Sequence, residues 1–147
     1  MNIQFKTELN MTEKRLLNSE FELHSNQHGI RCNYQPFNFI AKEQDKIFGF
    51  ITGASVFDSV YVDELIVLEE HRRKGIGTSL IKQVEDYHRN KQFSYIELCT
   101  NEFQARPFYE KLGFKLEYVR ENKEEPKLTK YFLIKYFKVC RSFLCWS

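Results

Sequence analysis

The sequence lacks the features that mark membrane, secreted or metal-binding proteins. No apolar run approaches the roughly 20 residues of a membrane-spanning helix, and residues 1–6 have no signal-peptide core. The four cysteines form no C-x-x-C pair and have no histidine partner at zinc spacing. We therefore expect a cytoplasmic protein with free thiols that binds no metal and contacts no membrane.

The sequence also lacks a large excess of either positive or negative charge, because the formal net charge is only +2 and acidic residues lie among the basic ones. A nucleic-acid-binding protein would carry a basic face, so we expect no nucleic-acid partner. A chain of 147 residues that is 42% hydrophobic and 29% charged has the size and composition of one domain. We predict one domain over residues 1–138 and a tail over 139–147 that packs on its own domain or across a homodimer.

Glycine is scarce, with six in the chain, yet Gly75 and Gly77 lie one residue apart. They follow the cationic run 72–74, a β-branched apolar segment precedes them, and a helical pattern follows. A strand, a tight turn and a helix start in this order form an anion site. The free N–H groups and the helix dipole attract negative charge, and glycine lets a phosphate approach the backbone. The sequence predicts a site for a phosphorylated ligand, although the spacing fits neither the dinucleotide nor the nucleoside-triphosphate motif.

A second pattern follows the next predicted strand. Ala105, Phe108, Tyr109 and Leu112 recur at the i, i+3, i+4, i+7 spacing of one helix face. Gly113 then supplies the left-handed residue that commonly ends a helix. This segment is therefore predicted to be a helix that begins near Ala105.

Together these segments resemble the GNAT superfamily of acyl-CoA-dependent N-acyltransferases. Arg72-x-x-Gly75-x-Gly77 is similar to the superfamily's pyrophosphate loop, which reads Arg/Gln-x-x-Gly-x-Gly/Ala. Residues 101–114 are similar to its second motif, an Asn followed by Ala, Phe-Tyr and a Gly-Phe end. Residues 130–135 resemble the final strand of a bacterial subgroup. The resemblance covers roughly residues 37–136.

The predicted elements form antiparallel hairpins followed by β-α-β-α-β-β. Helices are predicted over residues 12–28, 75–89 and 105–112, and strands over 3–5, 37–41, 47–52, 61–68, 95–100, 114–119 and 128–137. This order predicts an α/β fold with a mixed sheet and helices on both faces, in which strands 61–68 and 95–100 run parallel. The resemblance implies the GNAT fold, a mostly antiparallel sheet whose parallel pair splays apart to admit the pantetheine arm of acyl-CoA.

The resemblance implies acetyl-CoA as the co-substrate. Backbone N–H groups of residues 74–78 would bind its pyrophosphate, with charge-assisted bonds from Arg72 and Lys74. Read without the resemblance, the cationic run is a solvated turn, and Asn101 is a helix cap. The predicted cofactor-binding residues are Leu65, Ile66, Val67, Arg72, Arg73, Lys74, Gly75, Ile76, Gly77, Thr78, Asn101, Phe108 and Tyr109.

Three residues are candidates for proton transfer. Tyr109 matches the Tyr of the second motif, which often protonates the departing thiolate in the superfamily; alternatively, it is a core aromatic residue. Asp63 and Glu64 are adjacent on a predicted strand, so we expect them to face opposite sides of the sheet. Either carboxylate, with Asp63 favoured, or water would take the proton from the attacking amine; alternatively, the carboxylates form structural ion pairs. His71 and His88 are expected at the surface.

The favoured function is N-acetyl transfer from acetyl-CoA to a primary amine, on a small molecule or a protein, by direct attack in a ternary complex. The alternative is a non-catalytic acyl-CoA-binding sensor or scaffold, and a more remote one is a binder of another phosphorylated ligand. No motif specifies the acceptor amine. We expect the first helix and the loops 29–36 and 121–127 to shape its site.

Overall fold

The computed structural model describes residues 1–138, so the predicted tail over 139–147 lies outside the described residues. Two single-turn 3-10 helices lie at Glu69–His71 and Pro126–Leu128. The main elements, in chain order, are helix α1 (Met11–Gln27), strands β1 (Gln35–Glu43), β2 (Lys46–Val56) and β3 (Ser59–Val67), helix α2 (Ile76–His88), strand β4 (Tyr95–Asn101), helix α3 (Arg106–Lys111), and strands β5 (Lys115–Arg120) and β6 (Lys130–Tyr136).

The described chain forms two compact units, the first of which is Met1–Asn33. The Asn10 side chain accepts the Glu13 N–H at 2.9 Å, and the Glu13 carboxylate accepts the Asn10 N–H at 2.8 Å. This capping box begins α1, and Gly29, at φ 72°, follows its end as predicted. The strand predicted over residues 3–5 is wrong: this segment is irregular, because a strand needs a partner to satisfy its backbone groups.

The second unit, which begins at Tyr34, contains a six-stranded sheet in the order β1-β2-β3-β4-β6-β5. β3 and β4 run parallel and every other neighbouring pair is antiparallel, so the predicted mixed sheet is confirmed. The parallel pairing joins only residues 59–62 of β3 to residues 95–98 of β4. Beyond Val62 and Leu98 the two strands are not paired with each other, and a gap opens between their carboxyl ends.

Helix α2 packs on β1, β2 and β3 and connects the two parallel strands. Its buried face consists of Leu80, Ile81, Val84 and His88. These residues lie against a core that includes Val60, Val62, Ile96 and Leu98. Burying an aliphatic side chain of this size contributes about 1.5–3 kcal/mol, so the core fixes α2, and the loop before it, on one face of the sheet.

Candidate active site

The loop between β3 and α2 presents unpartnered backbone donors. Gly75 is the N-cap of α2 with φ 77°, a left-handed conformation that favours glycine, and no side chain caps the helix. The first backbone hydrogen bond of α2 runs from the Ser79 N–H to the Gly75 carbonyl at 3.0 Å. The N–H groups of residues 76–78 therefore have no intrahelical acceptor. These N–H groups and the helix dipole are the features on which the predicted anion site depends.

The second glycine of the motif allows the loop to contact α3. A Cβ at Gly77 would lie 3.1 Å from Cζ of Phe108 and 3.7 Å from a methyl group of Val67. Only hydrogen fits at this position without displacing the Phe108 ring. The contact joins the two sequence motifs, because it seats the helix of the second motif directly on the loop of the first.

The cations of the loop are exposed. Arg72 Nε donates a hydrogen bond to the Val67 carbonyl at 3.1 Å, which fixes its guanidinium beside the end of β3. Arg73 and Lys74 are also exposed, and within residues 1–138 none of the three forms an ion pair. Their charge therefore remains available to a phosphate.

His71 packs beneath the loop that precedes α2, in the interior of the protein. The prediction that it lies at the surface is therefore wrong. The side chain is 8% exposed because the 3-10 turn carries its ring onto Phe48, with 4.5 Å between ring centroids. Its Nε2 lies 3.0 Å from a carboxylate oxygen of Glu70 but is not aligned for a hydrogen bond. The His71 N–H donates to the Leu68 carbonyl at 2.8 Å. We interpret His71 as a packing residue that fixes the path of the loop.

The gap between β3 and β4 begins at a β-bulge. Val62 pairs with Gly53 and Glu64 pairs with Thr52, so Asp63 is an extra residue in β3. The bulge shifts by one residue the alternation of side chains between the two faces of the sheet. Val62 is buried, and the next residue of the strand that packs against the core is Leu65, three positions later instead of two. Asp63 and Glu64 are consequently both exposed, and the prediction that they face opposite sides of the sheet is wrong. Within residues 1–138 neither carboxylate forms an ion pair.

Among residues 1–138, the backbone of β3 beyond the bulge is paired on one edge only. Leu65, Ile66 and Val67 pair with Ile51, Phe50 and Gly49 of β2. Their other edge faces β4, to which the pairing has ended at Val62. An extended ligand can therefore form hydrogen bonds with this free edge in the manner of an added strand.

Tyr109 lies in α3 with its ring in the core. The residue is 8% exposed, and its ring lies 5.1 Å from Phe108 and 5.9 Å from Phe114 between centroids. Loss of hydration on burial raises the pKa of Tyr109 to about 12. The Tyr109 hydroxyl has no hydrogen-bond partner among residues 1–138. Within that range His71 Nε2 is the polar side-chain atom that is both fully buried and without a partner, so the Tyr109 hydroxyl keeps some contact with solvent. The phenol is thus protonated at neutral pH and free to donate.

Asn101 ends β4, and its alternative interpretation as a helix cap is wrong. The N-cap of α3 is Ala105, with no side-chain cap. Asn101 Nδ2 instead donates to the Leu128 carbonyl at 3.1 Å, and its backbone N–H donates to the Gln104 side chain at 2.7 Å. The bond to Leu128 connects the carboxyl end of β4 to the chain that precedes β6, and the bond to Gln104 connects it to the segment before α3; together they fix one side of the gap.

The chain belongs to the acetyltransferase (GNAT) family, whose model matches residues 6–114. Over 90 residues it is 29% identical to an uncharacterized N-acetyltransferase from Methanocaldococcus jannaschii, covering 59% of this chain and 58% of that protein. Over 85 residues it is 29% identical to N-acetyltransferase 8 from Homo sapiens, covering 52% of this chain and 37% of that protein. The matched regions thus span between about one third and three fifths of these relatives.

Solved structures share the fold. An acetyltransferase from Bacillus cereus superposes with a TM-score of 0.70 at 23% identity, covering 90% of this chain and 97% of the other. An aminoglycoside 6'-N-acetyltransferase in complex with coenzyme A superposes with a TM-score of 0.63 at 19% identity, covering 93% and 97%. This chain therefore shares its fold with solved acetyltransferases. Within residues 1–138 no helix is long and apolar enough to cross a membrane.

Proposed function

We propose that this protein is an N-acetyltransferase that moves the acetyl group of acetyl-CoA to a primary amine by direct attack in a ternary complex. The observation that carries the proposal is the end of β3–β4 pairing at Val62, next to the unpartnered N–H groups at the start of α2. One end of the gap thus offers donors for a pyrophosphate and the other a free strand edge for an extended amide-containing arm. Few other ligands combine these two chemistries.

The chain contributes to binding mainly through its backbone. The N–H groups of residues 76–78 bind the pyrophosphate, and the exposed cations of residues 72–74 add charge-assisted bonds. The free edge of residues 65–67 pairs with the pantetheine arm, and a β3 N–H there polarises the thioester carbonyl. Phe108 packs beside the loop at Gly77 and limits the width of the site at this point.

Two side chains move the protons. An aliphatic ammonium group has a pKa of about 10 and must lose a proton before the amine can attack. Asp63, exposed at the bulge, accepts that proton directly or through water. As the new C–N bond forms and the C–S bond breaks, Tyr109 donates its hydroxyl proton to the departing thiolate. Its raised pKa keeps this proton in place at neutral pH.

The first experiment measures acetyl-CoA binding by calorimetry and thiol release with a panel of amines. Binding together with amine-dependent release supports the proposal. Binding without release from any amine favours a non-catalytic acyl-CoA-binding module. A protein that binds nucleotides in preference to CoA contradicts both, and assigns the loop to another phosphorylated ligand.

A further inference from the structure

An open cavity of about 460 Å³ lies on the sheet beside the bulge. Its walls come from β1, β2, β3 and the residue that precedes β1, and they include Tyr34, Asn38, Thr52, Tyr61 and Asp63. Val60 and Val62, which alternate with Tyr61 along β3, are buried in the core that contains the face of α2. The cavity therefore opens on the sheet face opposite α2.

The cavity ends where the gap between the parallel strands begins. Asp63 lines it and is also the bulged residue, immediately after the last β3 residue that pairs with β4. A molecule in the cavity thus has direct access to the position at which the proposed function puts the thioester. The present inference rests on that proposed function and adds the chemistry of the acceptor.

The charge of the cavity is negative. Among residues 1–138, none of those that line the cavity is Lys, Arg or His, whereas Asp63 contributes a carboxylate. Glu64 follows Asp63 on the exposed side of the strand. Glu97 of β4 lies beside Tyr61 in the parallel register.

Two pKa shifts have causes that agree with this field. Burial raises the pKa of Tyr61, and the carboxylates of Asp63 and Glu97 raise it further. Burial also raises the pKa of Glu97, with added repulsion from Glu117 and Asp58. This part of the sheet therefore favours a cation and disfavours a second anion.

We propose that this cavity is the acceptor site and that it selects small cationic amines that carry no carboxylate, such as alkyl diamines, over amino acids. The carboxylate of Asp63 attracts the ammonium group, and the tyrosines supply aromatic surface on which an alkylammonium packs favourably. Asn38 and Thr52 add neutral hydrogen-bonding groups. A substrate carboxylate would meet Asp63 with no cation on the cavity wall to neutralise it.

The test compares 1,5-diaminopentane with L-lysine, which differ by one carboxylate. The expected result is a kcat/KM for acetyl transfer that is at least about 10-fold higher for the diamine, because like charges brought together are strongly disfavoured. Equal or faster acetylation of L-lysine overturns the inference and leaves acetyl transfer intact. No acetylation of either compound also overturns it, and the proposed function falls with it only if no amine in the panel releases thiol.

A substitution in the cavity tests the location. Asn38 is exposed on the edge strand β1, so Asn38→Lys introduces a cation at little structural cost. It should narrow the preference for the diamine by about 10-fold. Asn38→Gln is the matched control, because it adds length without charge: either kcat/KM value can change, but the ratio of the two should stay near that of the unsubstituted protein. An unchanged preference in Asn38→Lys, with a normal melting temperature, overturns the assignment of this cavity.

Discussion

The role of Tyr109 can be tested by removing one oxygen atom. Tyr109→Phe keeps the ring that packs 5.1 Å from Phe108 and 5.9 Å from Phe114. The hydroxyl has no hydrogen-bond partner among residues 1–138, so its removal breaks no bond within this part of the protein. We expect the free energy of unfolding to change by less than about 1 kcal/mol.

Catalysis should respond much more strongly than stability. If the hydroxyl protonates the departing thiolate, its loss should lower kcat about 10²- to 10⁴-fold, which corresponds to a barrier higher by roughly 3–5 kcal/mol. The dissociation constant of acetyl-CoA should barely change, because charge develops on sulfur only in the transition state. The two quantities are measured by thiol release under saturating substrates and by calorimetry.

The pH dependence gives a second readout of the same residue. Because burial raises the pKa of Tyr109 to about 12, the phenol stays protonated throughout the usual assay range. Below the pKa of about 10 of an unfolded tyrosine, Tyr109 is protonated in both the folded and the unfolded protein, so it gives the free energy of unfolding no pH dependence. Above that pH the unfolded protein ionises first, and the free energy of unfolding falls as the pH rises through about 12. Turnover should therefore rise with pH as free amine accumulates, without a decline from Tyr109 below about pH 10.

A matched control removes a hydroxyl elsewhere. Tyr118 lies exposed on β5, and Tyr118→Phe makes the same chemical change outside the proposed site. We expect this variant to have normal turnover. Near-normal turnover of Tyr109→Phe as well would refute the role of general acid and leave Tyr109 as a packing residue.

Three further predictions address the loop, the base and a buried histidine. Gly77→Asp adds bulk against Phe108 and negative charge at the start of α2, so it should weaken acetyl-CoA binding, measured by calorimetry, at least about 10-fold. Gly77→Ala adds bulk alone and should lose less affinity for acetyl-CoA. Asp63→Asn should lower kcat most at neutral pH and less at high pH, where free amine is abundant; a uniform loss, or a larger effect of Glu64→Gln, would remove the role from Asp63. Burial lowers the pKa of His88 in the folded protein. The free energy of unfolding should therefore fall as the pH drops from about 6.5, the pKa of an unfolded histidine, through the lower pKa of the folded protein. Melting curves at several pH values should show this loss, and His88→Phe should reduce it.

Local patterns predicted much of the molecule. The spacing of Gly75 and Gly77 identified the loop, because a left-handed conformation at Gly75 and a close contact with a neighbouring helix at Gly77 both favour glycine. The 3.6-residue period predicted α2 and α3, and the apolar segments predicted the parallel pair. Each of these sequence patterns is formed by residues close together in the chain, so it can be read without knowledge of the fold.

Contacts between distant segments decided the rest. The bulge at Asp63 arises from the pairing of β3 with β2, so the shared face of Asp63 and Glu64 could not follow from strict alternation. His88 is buried because its ring lies 5.1 Å from that of Phe37 in β1, far away in the sequence. The cavity on the open face is likewise built from three strands and the residue before β1. The sequence by itself determined where the glycine loop and helices α2 and α3 lie. Only the tertiary structure decided which side chains surround the cavity beside the bulge, since strand register and burial are set by packing between segments remote in the chain.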